Sequence, residues 1–283
     1  MTLACRGAGT GRVRAMLLHG FPEAAFVWDG VLQRLAPQVA AVAPNLRGYI
    51  GSSAPTEVAA YRAKCLVGDV AAAIDALGPP LDLLVAHDWG GALAWNLAAQ
   101  RPELIKQLLI VNSPHPAAFL RELRHSAEQQ TASAYMTYLC RPGAEQQLAE
   151  DDFRRLWPFL GEPAWLTPAV RAQYRQAWLN QGRGLTGALN YYRASPLRPP
   201  TGADDPLHQL QPPDAAVTSR VPTTVLWGER DAALRPSLLT GLERWVPQLQ
   251  LVHVPDASHW IVHEQPRLVT EVIVSLLGGS AAG

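Results

Sequence analysis

The sequence predicts an α/β fold: a mostly parallel sheet covered by helices, with a helical block inserted before the last two strands. Three observations carry this. Short, nearly continuous apolar runs recur along the 283 residues, the pattern of strands buried on both faces. Helical patterns alternate with them, as in doubly wound sheets. Between about Pro116 and Arg220 the alternation stops, and helix-like segments separated by Pro- and Gly-rich stretches take over.

The strand runs are 13–20, 39–48, 81–88, 105–114, 221–231 and 249–259, each read as a buried strand leading into a loop. Helices are expected over Trp28–Ala36, Tyr61–Leu77, Gly91–Gln100 and Glu264–Leu277. The inserted block suggests helices at Ala117–Gln129, Ala132–Leu139, Glu145–Leu156, Pro168–Asn180 and Leu185–Tyr192. Its tail, ASPLRPPTGADDPLHQLQPPD (194–214), reads as a flexible or extended connector. An insertion at this point sits at the carboxyl edge of the sheet, where α/β sheets bind ligands. The expected division is a core of 1–115 and 221–283 and a helical cap, or lid, of 116–220.

Composition narrows the function. Hydrophobic residues make up 48% and charged residues 17%, with 24 basic against 24 acidic side chains. A nucleic-acid binder usually carries a basic excess. An uncharged small molecule fits better as partner, and oligomeric state stays open, a homodimer included. Cys5, Cys65 and Cys140 are scattered, in no metal-ligand or disulfide spacing, and read as buried or incidental thiols. The start of the chain has no long apolar segment and no run reaches transmembrane length, so a soluble cytoplasmic protein is expected. GAGTG (7–11) lacks the spacing of a dinucleotide loop, and neither HExxH nor CxxC occurs. No cofactor or metal is implied.

The chemistry centres on VAHDWGGALAW (85–95). An apolar strand meets Asp88, with small residues Ala86 and Gly90 on either side and a helix following. That is the outline of a strained elbow that exposes one side chain. Asp88 as a simple helix cap is the plainer alternative. A carboxylate titrates near 3.9 and is ionised at neutrality, helped by the positive end of the following helix. Its attack on an ester carbonyl would give a reactive anhydride. Attack on a saturated carbon bearing a leaving group gives an ordinary ester, so the pattern suits an epoxide or a carbon–halogen bond.

That ester needs an activated water. His259, in a polar loop after the last strand, can supply the base, and Asp231, after the preceding strand, can orient the imidazole. In LLHGFPE (17–23), the backbone N–H of Phe21 can pair with that of Trp89 as an oxyanion hole. His87 is expected to point away from Asp88 and to be structural. Glu23 is expected in the loop or one layer behind the site, and Trp260 near it.

HGFPE, NLRGYIGSS (45–53), AHDWGG, NSPHP (112–116), GERD and ASHW occur in the order seen in α/β-hydrolase-fold epoxide hydrolases, and the chain resembles that family from about Leu17 to Leu277. The resemblance implies the α/β-hydrolase fold, the triad Asp88, Asp231 and His259, and a cis peptide before Pro22. It also implies two cap tyrosines that protonate the opening epoxide oxygen. ALNYYRASPL (188–197) nominates Tyr192. AYMTYLCRPGAE (134–145) nominates Tyr135 over Tyr138, which lies three residues on and shares roughly that helix face.

Two departures matter. The family has two strands before the HGFP strand, whereas here twelve residues precede Val13, room for one short strand, TLAC, so the first strand is expected to be absent. Ala86 stands where the family often has glycine. The expected reaction converts an epoxide to a vicinal diol through an aspartyl ester, with water as co-substrate. A haloalkane or haloacetate dehalogenase would use the same set, but Phe21 and Trp89 replace the Asn and Arg usual there. An inactive ligand-binding relative is disfavoured by the complete triad.

Overall fold

Alternation along the central strands divides their side chains between two apolar cores. Met16, Leu18, Leu84, Ala86, Leu108, Ile110, Val225 and Trp227 share one core, and Ala15, Leu17, Leu83, Val85, Leu109, Val111 and Leu226 the other. A sheet buried on both faces follows directly from that period of two. The computed structural model describes residues 1–180 and 183–279.

The sheet has seven strands: β1 (Cys5–Ala8), β2 (Ala15–Leu18), β3 (Ala41–Pro44), β4 (Leu83–His87), β5 (Leu108–Val111), β6 (Thr223–Gly228) and β7 (Leu249–Val254), in the order β1-β3-β2-β4-β5-β6-β7. Only β1 runs antiparallel to its neighbour, and the other pairings are parallel. All six apolar runs become strands. One expectation is corrected: β7 is not a buried strand, because it is the sheet edge, and Leu251 is 37% exposed. The N-terminal strand also lies later than TLAC. Thr2 and Ala4 instead bond the 45–53 loop, Asn45 N–H to the Ala4 carbonyl at 2.7 Å and Ser53 N–H to the Thr2 carbonyl at 2.9 Å.

Helices α1 (Asp29–Leu35), α2 (Ala63–Leu77) and α3 (Asp88–Gln100) follow strands as expected. Between β5 and β6 come α4 (Pro116–His125), α5 (Ala127–Ala132), α6 (Tyr135–Leu139), α7 (Ala144–Phe153), α8 (Trp157–Leu160), α9 (Pro168–Leu179), α10 (Thr186–Ala194) and α11 (Asp214–Val217), with no strand among the described residues. The helix expected over Ala117–Gln129 splits because Ser126 leaves helical dihedrals and caps α5, its hydroxyl accepting the Gln129 N–H. The connector after α10 is not extended throughout, since Pro206–Gln209 forms a 3-10 turn, and it is pinned: Arg124 donates to the carbonyls of Leu207, His208 and Leu210. The chain closes with α12 (Ile261–Glu264) and α13 (Pro266–Gly279). Among the described residues, no helix is long and apolar enough to cross a membrane. All three cysteines are free, and Cys5 is exposed rather than buried because it lies on the solvent-facing edge strand β1.

Helix α10 packs backbone to backbone on the loop after β3. A Cβ on Gly187 would lie 2.5 Å from the Cα of Gly48. Gly48 itself has φ of +88°, where other residues are strained. Gly187→Ala is therefore expected to lower stability by about 1–3 kcal/mol, the usual cost of overpacking. Denaturant unfolding checks this, and an unchanged midpoint would contradict the close contact.

Candidate active site

β4 runs into α3 without a loop, and the turn is made at Asp88, whose φ is +48°. The elbow expected from the sequence is present. The alternative, a capping carboxylate, does not apply: Asp88 Oδ1 accepts the Phe21 N–H at 2.7 Å, across from the neighbouring strand β2. Close packing makes this contact. A Cβ on Gly20 would lie 2.3 Å from that of Asp88, and one on Gly91 would lie 2.3 Å from Ser113 Cβ. Ser113 donates its hydroxyl to the Asp88 carbonyl at 2.6 Å and fixes the strained peptide from below. Trp89, second in α3, carries an N–H with no carbonyl to reach inside its helix.

The loops after β6 and β7 bring Asp231 and His259 to the same place. His259 Nδ1 donates to Asp231 Oδ2 at 2.7 Å, and Nε2 lies 3.8 Å from Asp88 Oδ2. Asp231 is fully buried, so its remaining lone pairs need donors. Oδ1 accepts the N–H groups of Ala233 and Leu234 at 2.9 Å each. Oδ2 also accepts Asn112 Nδ2 at 2.9 Å. Burial opposes ionisation of Asp231, but the charge and bond of His259, together with the Leu234 N–H and Asn112, hold its carboxyl below the usual range. Burial likewise opposes the His259 cation, and Asp231 and then Asp88 outweigh it, so the imidazole is pushed up to about 9.

Tyr135 and Tyr192 come from α6 and α10 and line one cavity with Asp88 and Trp89. Their rings lie edge to face, centroids 6.1 Å apart. Burial first, and then nearby negative charge, raises both phenols above their ordinary value, so both hydroxyls stay protonated donors. The cavity measures about 230 Å³ and its walls are mostly apolar, with Leu66, Leu93, Phe119 and Met136 among them. Tyr138 does not line it. Its buried hydroxyl is unpartnered, and Arg141 lies over its ring. Tyr191 lines the cavity but donates to the Arg47 carbonyl at 2.9 Å.

His87 does point away from Asp88, onto the opposite face of the sheet. Its Nδ1 meets Glu23 Oε2 at 3.1 Å and its Nε2 the His259 carbonyl at 2.9 Å. Glu23 is buried, and the bonds from His263 and His87 overcome that burial and hold it ionised, well below the carboxylate range. Trp260 stands edge-on to His259, centroids 4.9 Å apart. The Phe21–Pro22 bond is cis, as expected. Sequence reasoning missed Ser113 and Asn112. Both lie in NSPHP, at the end of β5 beside the elbow strand, and that adjacency was their only signal. Among the described residues, no group of three or more His, Cys, Asp or Glu side chains is arranged to hold a metal ion.

The profile of the alpha/beta hydrolase fold matches residues 16–266. A relative named AB hydrolase superfamily protein YfhM, from Bacillus subtilis, is 35% identical over 93% of this chain and 89% of its own. Epoxide hydrolase 4 of Mus musculus is 31% identical over 94% of this chain and 73% of its own. Among solved structures, the epoxide hydrolase of Bacillus megaterium in complex with an inhibitor superposes with a TM-score of 0.89 at 30% identity, covering 98% of this chain and 96% of that one. The chain is an α/β hydrolase. Within that fold it belongs to the family of the epoxide hydrolases.

His259 binds its proton more tightly in the folded protein than in the unfolded chain. The stability this contributes is fully present below about pH 6.5 and is lost as pH rises through about 9. Unfolding free energy should therefore fall by on the order of 1–3 kcal/mol across that window. Chemical denaturation at a series of pH values measures it, and His259→Gln should flatten the slope.

Proposed function

We propose that this protein hydrolyses an epoxide to a vicinal diol, with water as the second substrate and no cofactor in the cycle. The observation that carries the reading is the shared cavity, in which two protonated phenols face a carboxylate held by a backbone N–H. Residues 116–220 act as a cap over a core of 1–115 and 221–283, and the epoxide binds between them. Its substituent is apolar and uncharged, in keeping with walls that carry no basic side chain among the described lining residues.

Tyr135 and Tyr192 hold the ring oxygen. Asp88 attacks one ring carbon through Oδ2 while Oδ1 stays on the Phe21 N–H. The C–O bond breaks, one tyrosine transfers its proton to the oxygen that leaves, and the other hydroxyl donates a hydrogen bond to it. A hydroxyalkyl ester of Asp88 results. The negative charge of Asp88 is then gone, and with it one of the interactions that raise the basicity of His259. Neutral His259, oriented by Asp231, takes a proton from water, and the hydroxide adds to the ester carbonyl. The charge that develops on Oδ1 is met by the N–H groups of Phe21 and Trp89, a term typically worth about 3 kcal/mol per donor. Collapse breaks the acyl C–O bond, the departing diol oxygen takes the proton of the added hydroxyl, Asp88 is again a carboxylate, and the proton held by His259 returns to the tyrosine that protonated the ring oxygen. Relatives named epoxide hydrolase support the reading, and a dehalogenase is its competitor on the same triad.

The test is diol formation from styrene oxide and short alkyl epoxides, with halide release from haloalkanes and fluoroacetate assayed in parallel. Diol without halide is expected, and Asp88→Ala should lose at least about a thousandfold in rate. Halide without diol would overturn the proposal. Tyr192→Phe and Tyr135→Phe should each lower the rate of ester formation by about tenfold to a hundredfold, the lower part of the general-acid range. Stopped-flow single turnovers read this, and unchanged rates would remove the tyrosines from the mechanism.

A further inference from the structure

Phe21 sits within a turn closed by the Glu23 N–H on the Gly20 carbonyl at 3.1 Å. The far side of that turn is held by one helix of the 116–220 block. On α9, Trp178 Nε1 donates to the Pro22 carbonyl at 2.7 Å, and the Tyr174 hydroxyl donates to Glu23 Oε1 at 2.9 Å. The two residues are four apart and share one helix face. Both are essentially fully buried. Just past the helix, Asn180 Nδ2 adds a third bond, to the Gly48 carbonyl at 2.9 Å. His263, from α12, completes the group by meeting the same Glu23 oxygen at 3.0 Å.

We propose that Tyr174 and Trp178 are positioning residues: they fix the Gly20–Glu23 turn from the cap side and so set the direction of the Phe21 N–H toward Asp88. The inference rests on the epoxide hydrolase reading for its kinetic consequence, though not for the clamp itself. That consequence has opposite signs in the two steps. During ester formation Asp88 loses its charge, so a donor on Oδ1 stabilises the starting carboxylate more than the ester. During hydrolysis Oδ1 gains charge, and the donor stabilises the transition state. A loosened turn slows hydrolysis without slowing ester formation. General damage to the fold would slow both.

The experiment compares wild type with Tyr174→Phe and Trp178→Phe. Tyr174→Phe keeps the ring and removes one oxygen, so it remains informative if the second variant folds poorly. Rapid-quench single turnovers with styrene oxide follow the ester by intact mass and the diol by chromatography. Hydrolysis should fall about threefold to tenfold, an effect on the scale of a small misplacement of one donor. Ester formation should hold steady or rise, so the ester accumulates. Amide hydrogen exchange over residues 17–24 should speed up in both variants, and this readout needs no turnover. Unchanged exchange, or equal slowing of both steps, would overturn the clamp. Absence of diol from wild type with every epoxide would instead defeat the functional reading and leave exchange to judge the clamp.

Discussion

The peptide at Asp88 is bent to φ +48°, and its carboxylate is caught by the Phe21 N–H at 2.7 Å. A non-glycine residue in that region costs about 1–3 kcal/mol and persists only where its surroundings over-determine it. Here β4 lies between β2 and β5 in the middle of the sheet, and α3 starts at the very next step. Gly20 and Gly91 leave no Cβ in the way, and Ser113 holds the carbonyl. The strain is borne by the sheet register, and the side chain is presented where three strand ends converge.

Two buried carboxylates then organise those strand ends. Asp231 accepts from His259, Asn112, Ala233 and Leu234, which ties the loops after β5, β6 and β7 together. Glu23 accepts from His87, His263 and Tyr174 on the other face of the elbow. An unpaired charge at either position would be costly, because breaking a buried pair strands its partner. His87 joins the two systems, since it bonds Glu23 through one nitrogen and the His259 carbonyl through the other. The imidazole is thus fixed from its side chain and from its backbone.

The cavity is lined both by residues at the carboxyl ends of β4 and β5 and by residues of α6 and α10. Tyr135 and Tyr192 are far apart in sequence and belong to separate helices, yet both reach the space above Asp88. Helix α10 comes close enough for this because Gly187 meets Gly48 with no side chain between them. The phenols stay protonated there because burial makes their ionised forms expensive.

Six strands, the helical insertion and the order Asp88, Asp231, His259 could be read from the chain, because apolar periodicity and turn chemistry are local properties. The elbow was legible for the same reason: Ala86, Gly90 and Gly91 surround Asp88 within a few residues. The edge position of β7 was not, since its apolar run looks like that of a central strand and only the sheet order exposes Leu251. Nor was the choice between Tyr135 and Tyr138 open to spacing alone, since the two are one helical turn apart. Asn112, Ser113, Tyr174 and Trp178 carry no local mark, because their partners lie on other strands and loops, up to 156 residues away. By itself the sequence determined the layers and the chemical groups available at the strand ends. The tertiary structure alone decided which buried donors meet which acceptors, because a buried polar group without a partner is costly, and the partner is set by packing between elements and not by neighbours along the chain.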